Sequence, residues 1–269
     1  HRGMTSFLQE LFYWRKKMTN NRFNTYRTLL KNELKMSFRG MDMLIFAVIM
    51  PLAVLVILGL VFGQKPAFEG APYTFLEQSF GALCTISICA GGVMGLPLVI
   101  SDYRAKHILK RYQVTPVSPS LVLAVEVSMY ALYALASLVS LFIVAFCFFG
   151  FRMKGSLALF LAGYFLVMLT MFSIGMMAGG VSKNPKTAGI IASLLYFPML
   201  IFSGATLPYE IMPATLQKIA DIMPLTQGIK ILKNASLGLA SDNVIVPVIV
   251  MLLITLVCSI ITIKFFKWE

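Results

Sequence analysis

The sequence predicts an all-α integral membrane protein: six transmembrane helices, an N-terminal amphipathic interfacial helix, a helical cytoplasmic loop, and short re-entrant helices before the last span. Three observations lead there. Hydrophobic residues make up 58% of the 269 and charged residues only 13%, whereas soluble domains run near ~45–50% and ~25%. Six apolar runs approach or exceed the roughly 20 residues that a helix needs to cross a ~30 Å hydrocarbon core. None of the runs alternates strictly between apolar and polar residues, and backbone in lipid must satisfy its hydrogen bonds internally, so the runs are helices and not barrel strands.

Residues 1–42 form a cytoplasmic N-terminal segment and 43–269 the six-helix domain. His1-Arg2-Gly3 precedes two candidate starts, Met4 and Met18, and no cleavable signal peptide is expected, because the first apolar run comes late and lacks a small-residue cleavage site. Between Arg22 and Arg39, Phe23, Tyr26, Leu30, Leu34 and Phe38 fall within about 120° of one another at about 100° per residue, with Lys31, Lys35 and Arg39 to one side. Such a helix suits the membrane interface, its cations near anionic lipid.

The six spans are expected at Met43–Gly63, Phe80–Ile100, Leu121–Phe149, Leu157–Val181, Ala188–Phe202 and Val244–Ile263, with Pro51, Pro97, Pro198 and Pro247 as kinks. Of the 23 Lys and Arg residues, 17 lie in the termini and the two even-numbered connections, and 6 in the three others. The positive-inside rule then puts both termini in the cytoplasm of a multi-pass protein of the cell membrane. These basic residues are spread over several gaps and form no nucleic-acid-binding domain, so the expected contact is membrane lipid and no nucleic acid. Cys84, Cys89, Cys147 and Cys258 lie inside apolar runs without metal-ligand spacing.

Two connections stand out. After the second span comes Ser101-Asp102-Tyr103-Arg104-Ala105-Lys106-His107-Ile108-Leu109-Lys110-Arg111-Tyr112-Gln113, helical in character and ended by Thr115-Pro116-Val117-Ser118-Pro119. Before the last span, Phe202-Ser203-Gly204-Ala205-Thr206-Leu207-Pro208 leads through Pro213 to a short apolar-striped helix, then Met223-Pro224-Leu225-Thr226-Gln227-Gly228 opens a second one reaching about Leu237. Neither is long enough to span, so both are expected to be re-entrant or interfacial.

These two stretches, in this order among six spans, resemble the ABC-2 type transporter permeases of the drug-efflux and polysaccharide-export kind, from about Arg22 onward. The resemblance implies that Asp102, Arg104, Lys106, His107, Lys110 and Arg111 belong to a coupling helix contacting a separate ATPase subunit, present in two copies. It implies that Ser203, Gly204, Pro208, Pro213, Pro224, Leu225 and Thr226 belong to an outer gate, and that a second permease copy or a similar permease completes the path. The glycine such loops carry a few residues after the arginine is replaced here around Lys106 and His107.

No Gly-x-x-x-x-Gly-Lys-[Ser/Thr] loop occurs, nor a His-Glu-x-x-His or Gly-x-Ser-x-Gly. The chain is therefore expected to be non-catalytic and to hold no cofactor, with ATP and Mg bound by the partner ATPase. An ATP-driven exporter of an amphipathic or lipid-like molecule, drug or antibiotic favoured, is the expected function. Export of a polysaccharide or lipid-linked glycan, or ion-coupled carriage, is the alternative; a carrier would show internal repeats and more mid-membrane ionisable groups. Glu126 is the one carboxylate well inside a predicted span and is expected to be either functional or paired with a loop Lys or Arg. Gly59 and Gly63, Gly91 and Gly95, and Gly175 and Gly179 are expected to let helices approach closely, within one subunit or at a dimer seam.

Overall fold

The computed structural model describes residues 23–36, 42–63, 65–67, 70–108, 118–203, 212–239 and 244–265. They form nine helices and no strand: α1 (23–36), α2 (Asp42–Phe62), α3 (Phe75–Ala105), α4 (Pro119–Phe149), α5 (Leu157–Val181), α6 (Pro185–Phe202), α7 (Ala214–Ile222), α8 (Pro224–Leu237) and α9 (Ile245–Phe265). Six of them, α2 to α6 and α9, are long and apolar enough to cross a membrane.

Local chemistry fixes the ends. Thr74 and Glu77 form a capping box at α3: Thr74 Oγ1 accepts from Glu77 N at 3.2 Å and Glu77 Oε2 accepts from Thr74 N at 2.8 Å. That cap starts the span five residues before the apolar run expected at Phe80, because a polar first turn is legible as helix only through its capping pair. Ser156 caps α5 and Asn184 caps α6, while α4, α6 and α8 open with proline, whose missing N–H costs nothing there. Gly63, Gly150 and Gly238 end α2, α4 and α8 at positive φ.

Pro51 and Pro97 do not break their helices, because each follows a π-helical segment, Ile45–Ile49 in α2 and Ala90–Gly95 in α3. Proline at 51 cannot bond the carbonyl four residues back, that of Ala47. Ser87 Oγ of α3 donates to that oxygen at 2.5 Å, so the orphaned acceptor becomes a link between two spans.

α3 lies at the centre: 78% of its most apolar window is buried, against 17–28% for α2, α4, α6 and α9, whose outward faces carry large hydrophobics such as Leu60, Phe146, Leu194 and Ile263. No water-facing protein exposes so many apolar side chains on helices of spanning length; lipid is the solvent that fits them. α5 packs against α3 and α9. Gly175 sits on the Gly92 backbone and Gly179 on Pro97 and Ile100, Gly91 and Gly95 receive Tyr130, and Gly59 receives Phe149. The glycines of all three pairs that touch another helix do so within this chain. Phe80 stacks on Phe151 and meets Phe142 edge-on, joining α3 to α4. Thr170 and Thr255 hydroxyls, 2.8 Å apart, join α5 to α9.

Candidate functional site

The two ends of the bundle differ in chemistry. At the end carrying Gly70, Lys154 and Gly238, α7 and α8 form a helical hairpin that turns back into the bundle. Gly228 lies against Thr85 of α3 and Val167 of α5, each about ten residues from its helix start, so the beginning of α8 sits about 15 Å down the spans. The last turn of α8 returns to the surface, where Ser236 O accepts from the Lys154 and Gly155 amides at 3.0 Å. This is the re-entrant geometry expected for the segment. Pro213 is the N-cap residue of α7, and Pro224 is the first residue of α8 instead of only a stop for the helix before it. Gln227 Nε2 donates to Asp221 O at 2.6 Å and Lys230 Nζ pairs with Asp221 Oδ1 at 2.6 Å, locking the hairpin.

Beside the hairpin is a cavity of about 890 Å³ walled by α2, α3, α6, α7, α8 and α9, at the large end of the usual range for small-molecule pockets. α2 contributes Met50, Val54 and Leu58, one face at four-residue spacing. α8 contributes Thr226, Lys230 and Lys233. Two residues of the expected gate, Ser203 and Thr226, therefore meet in one cavity, both 1% exposed. Leu225 is fully buried in the core behind it. Gly204 and Pro208 lie outside the described residues. Tyr73 also lines the cavity, with its ring 5.6 Å from Lys233 Nζ.

At the opposite end, Arg104 is 8% exposed, and its Nη1 donates to Gly180 O at 3.0 Å and Ser182 O at 2.6 Å, the last carbonyls of α5 and its C-cap. Asp102 and Arg104 belong to the last turn of α3, and Lys106 Nζ pairs with Asp102 Oδ2 at 2.8 Å on an exposed face. His107 adopts φ 54°, the left-handed region that glycine enters freely and a Cβ disfavours. Lys110 and Arg111 lie outside the described residues.

Glu126, 5% exposed in α4, accepts a hydrogen bond from Tyr103 Oη at 2.8 Å; Glu33 Oε1 of α1 is 3.1 Å from the same hydroxyl. The partner the described residues supply is a tyrosine; Lys110 and Arg111 of the loop, candidates for the expected pairing, lie outside the described residues. A phenol carries one proton, so Tyr103 donates to one carboxylate at a time or shares its hydrogen between the two. Tyr26 Oη adds a bond to Ser128 Oγ at 2.6 Å. α1 is thereby joined to α3 through Glu33 and to α4 through Tyr26; Tyr26, Leu30, Glu33 and Leu34 are half-buried, while Phe23 stays exposed and Phe38 lies outside the described residues. Glu33 escaped the sequence reading because a carboxylate beside a helix's apolar stripe looks solvated until its neighbour is known.

The family model described as ABC-2 type transporter matches residues 24–237, from the second residue of α1 to the last of α8. The chain belongs to the ABC-2 type transporter family. Over 119 residues this ABC-2 family member is 28% identical to a protein named "Inner membrane transport permease YhhJ" from Escherichia coli K12, and equally to one of that name from Shigella flexneri. The aligned part covers 44% of this chain and 32% of each relative, so the chain spans about a third of the length of the curated relatives it matches. In this ABC-2 protein the residues that carried the resemblance divide between the two ends: the Arg104 turn at one, the α7–α8 hairpin and its cavity at the other.

Proposed function

We propose that this chain is the transmembrane permease subunit of an ATP-driven exporter of an amphipathic or lipid-like substrate, with a drug or antibiotic favoured. The observation that carries the reading is the α7–α8 hairpin, which buries a polar helix start halfway along the spans beside a large, mostly apolar cavity. A stable bundle gains nothing from interrupting a span there, whereas a pathway needs polar groups and space at that depth.

In this reading both termini are cytoplasmic, as the 17 to 6 division of Lys and Arg supports, and the Arg104 end faces two copies of a separate ATPase that binds ATP and Mg. Asp102, Arg104, Lys106, His107, Lys110 and Arg111 form or flank the docking element. Closure of the ATPases pushes on α3, which runs unbroken from that end to the cavity wall, and α1 moves with it through Glu33, Tyr103 and Glu126. The hairpin with Ser203, Gly204, Pro208, Pro213, Pro224, Leu225 and Thr226 serves as the outer gate. A second copy of the permease, or a similar chain, completes the path.

The test is co-expression with the ATPase encoded beside it, followed by mild purification and reconstitution in liposomes. Co-purification and a permease-dependent rise in ATP turnover are expected. A chain that neither binds the ATPase nor alters its turnover overturns the proposal.

A further inference from the structure

The cavity beside α8 has a definite charge pattern. Among the described residues its charged lining is Lys230, Lys233 and Asp221, an excess of one positive charge. Thr226, Lys230 and Lys233 are spaced four and three residues apart, so they climb one face of α8 from its buried start toward the surface. At the base of that face the Thr226 hydroxyl is buried and has no hydrogen-bond partner among the described residues, and the helix start adds its own positive dipole end. The wall facing them is mostly apolar, with Met50, Val54 and Leu58 from α2 and Leu83 and Ile86 from α3, and its uncharged polar groups include Gln78, Ser79, Ser203 and Asn234.

We infer that this cavity takes an anionic amphiphile, its phosphate or carboxylate head held by Lys230 and Lys233 on the Thr226 face of α8 and its apolar body lying along α2 and α3. The inference narrows the amphipathic cargo proposed above and rests on that reading only for the occupant's being cargo. A cationic amphiphile is disfavoured because its head would face two ammonium groups in a partly dehydrated site where one carboxylate is already engaged by Lys230. A free inorganic anion is disfavoured because most of the wall offers it nothing to bind.

The test uses the purified full chain in phosphatidylcholine nanodiscs without any ATPase, so it is independent of the permease reading. The probe is a dodecyl phosphate bearing a diazirine on its chain, with cross-linked positions mapped by mass spectrometry. Cross-links are expected at Met50, Val54 and Ile86, displaced at least tenfold better by dodecyl phosphate than by dodecyltrimethylammonium, and not displaced by inorganic phosphate. The double variant K230Q/K233Q is expected to lose them, D221N to strengthen them, and K218Q, which removes a lysine from the exposed face of α7, to leave them unchanged. D221N keeps the question open to test even if the double variant misfolds. Equal displacement by both amphiphiles, efficient displacement by inorganic phosphate, or D221N labelling no stronger than the parent overturns the inference. Cross-links confined to lipid-facing positions such as Ile57 and Ile263 do the same.

Discussion

Removing the Arg104 guanidinium is the sharpest test of how the two ends of this protein are joined. Arg104 places two charge-assisted hydrogen bonds on Gly180 O and Ser182 O, at the end of α5 where backbone carbonyls lack partners of their own. Bonds to charged groups contribute about 1.5–3 kcal/mol each, and a cation at a helix C-terminus about 0.3–1 kcal/mol more. Because one nitrogen serves both carbonyls, the sum belongs at the low end, and Arg104→Ala is expected to cost about 3–4 kcal/mol. At about 2–4 °C per kcal/mol for a chain of this size, that is a fall of about 10 °C in the melting temperature. R104K keeps the charge but loses the planar fork, and is expected to recover about half the loss. The assay is thermal unfolding of the purified chain in nanodiscs, paired with hydrogen exchange of residues 178–187, which should lose protection in R104A. If R104A melts with the parent and yet fails to support ATPase stimulation, Arg104 acts on the partner and the anchoring argument is refuted.

Three further outcomes follow from single contacts. His107→Gly relieves a Cβ-bearing residue at φ 54° and should stabilise the chain by about 1 kcal/mol; a drop in melting temperature would show that the imidazole contributes more than its backbone costs. Tyr103→Phe leaves the buried Glu126 without its donor and frees Glu33, so about 1–3 kcal/mol of α1 docking should be lost. Hydrogen exchange across 23–36 reads this directly, and unchanged protection there would count against the latch. Gly175→Ala drives a methyl into the Gly92 carbonyl, whereas the Cβ in Gly189→Ala meets only Leu98 Cδ2 at an ordinary 3.5 Å. The first should destabilise by about 1–3 kcal/mol and the second should be neutral or stabilising by up to about 1 kcal/mol; equal melting temperatures would contradict the close approach of α3 and α5.

Much of the helical plan was legible because its causes are local. The run from Leu157 to Val181 matches α5 at both ends, and the second short helix runs to Leu237 as expected. Errors fall where a polar turn extends a helix beyond its apolar run. α3 begins at Phe75 through the Thr74 and Glu77 cap and continues through Ala105, so Asp102 and Arg104, expected in the loop, lie in the last turn of the helix. α6 gains Pro185 to Thr187 through the Asn184 cap. Of the site, the spacing showed which stretches were unusual but not what each side chain meets: Ser203 and Thr226 share a cavity, while Pro213 and Pro224 shape helix starts and do not line it.

What the amino-acid sequence by itself determined is the number of apolar helices, their order and the interruption before the last one, because helix length against bilayer thickness and the punctuation of Pro and Gly depend on neighbours in the chain. Tertiary structure alone decided that Ser87 would satisfy the carbonyl orphaned by Pro51, that Arg104 would turn inward to cap α5, that Glu33 and Glu126 would meet at one tyrosine, and that α8 would raise its lysines beside an apolar wall. Each of these joins residues tens of positions apart, and in a bundle whose surfaces are nearly all apolar, polar partners are chosen by which faces pack together and by nothing a local spacing records.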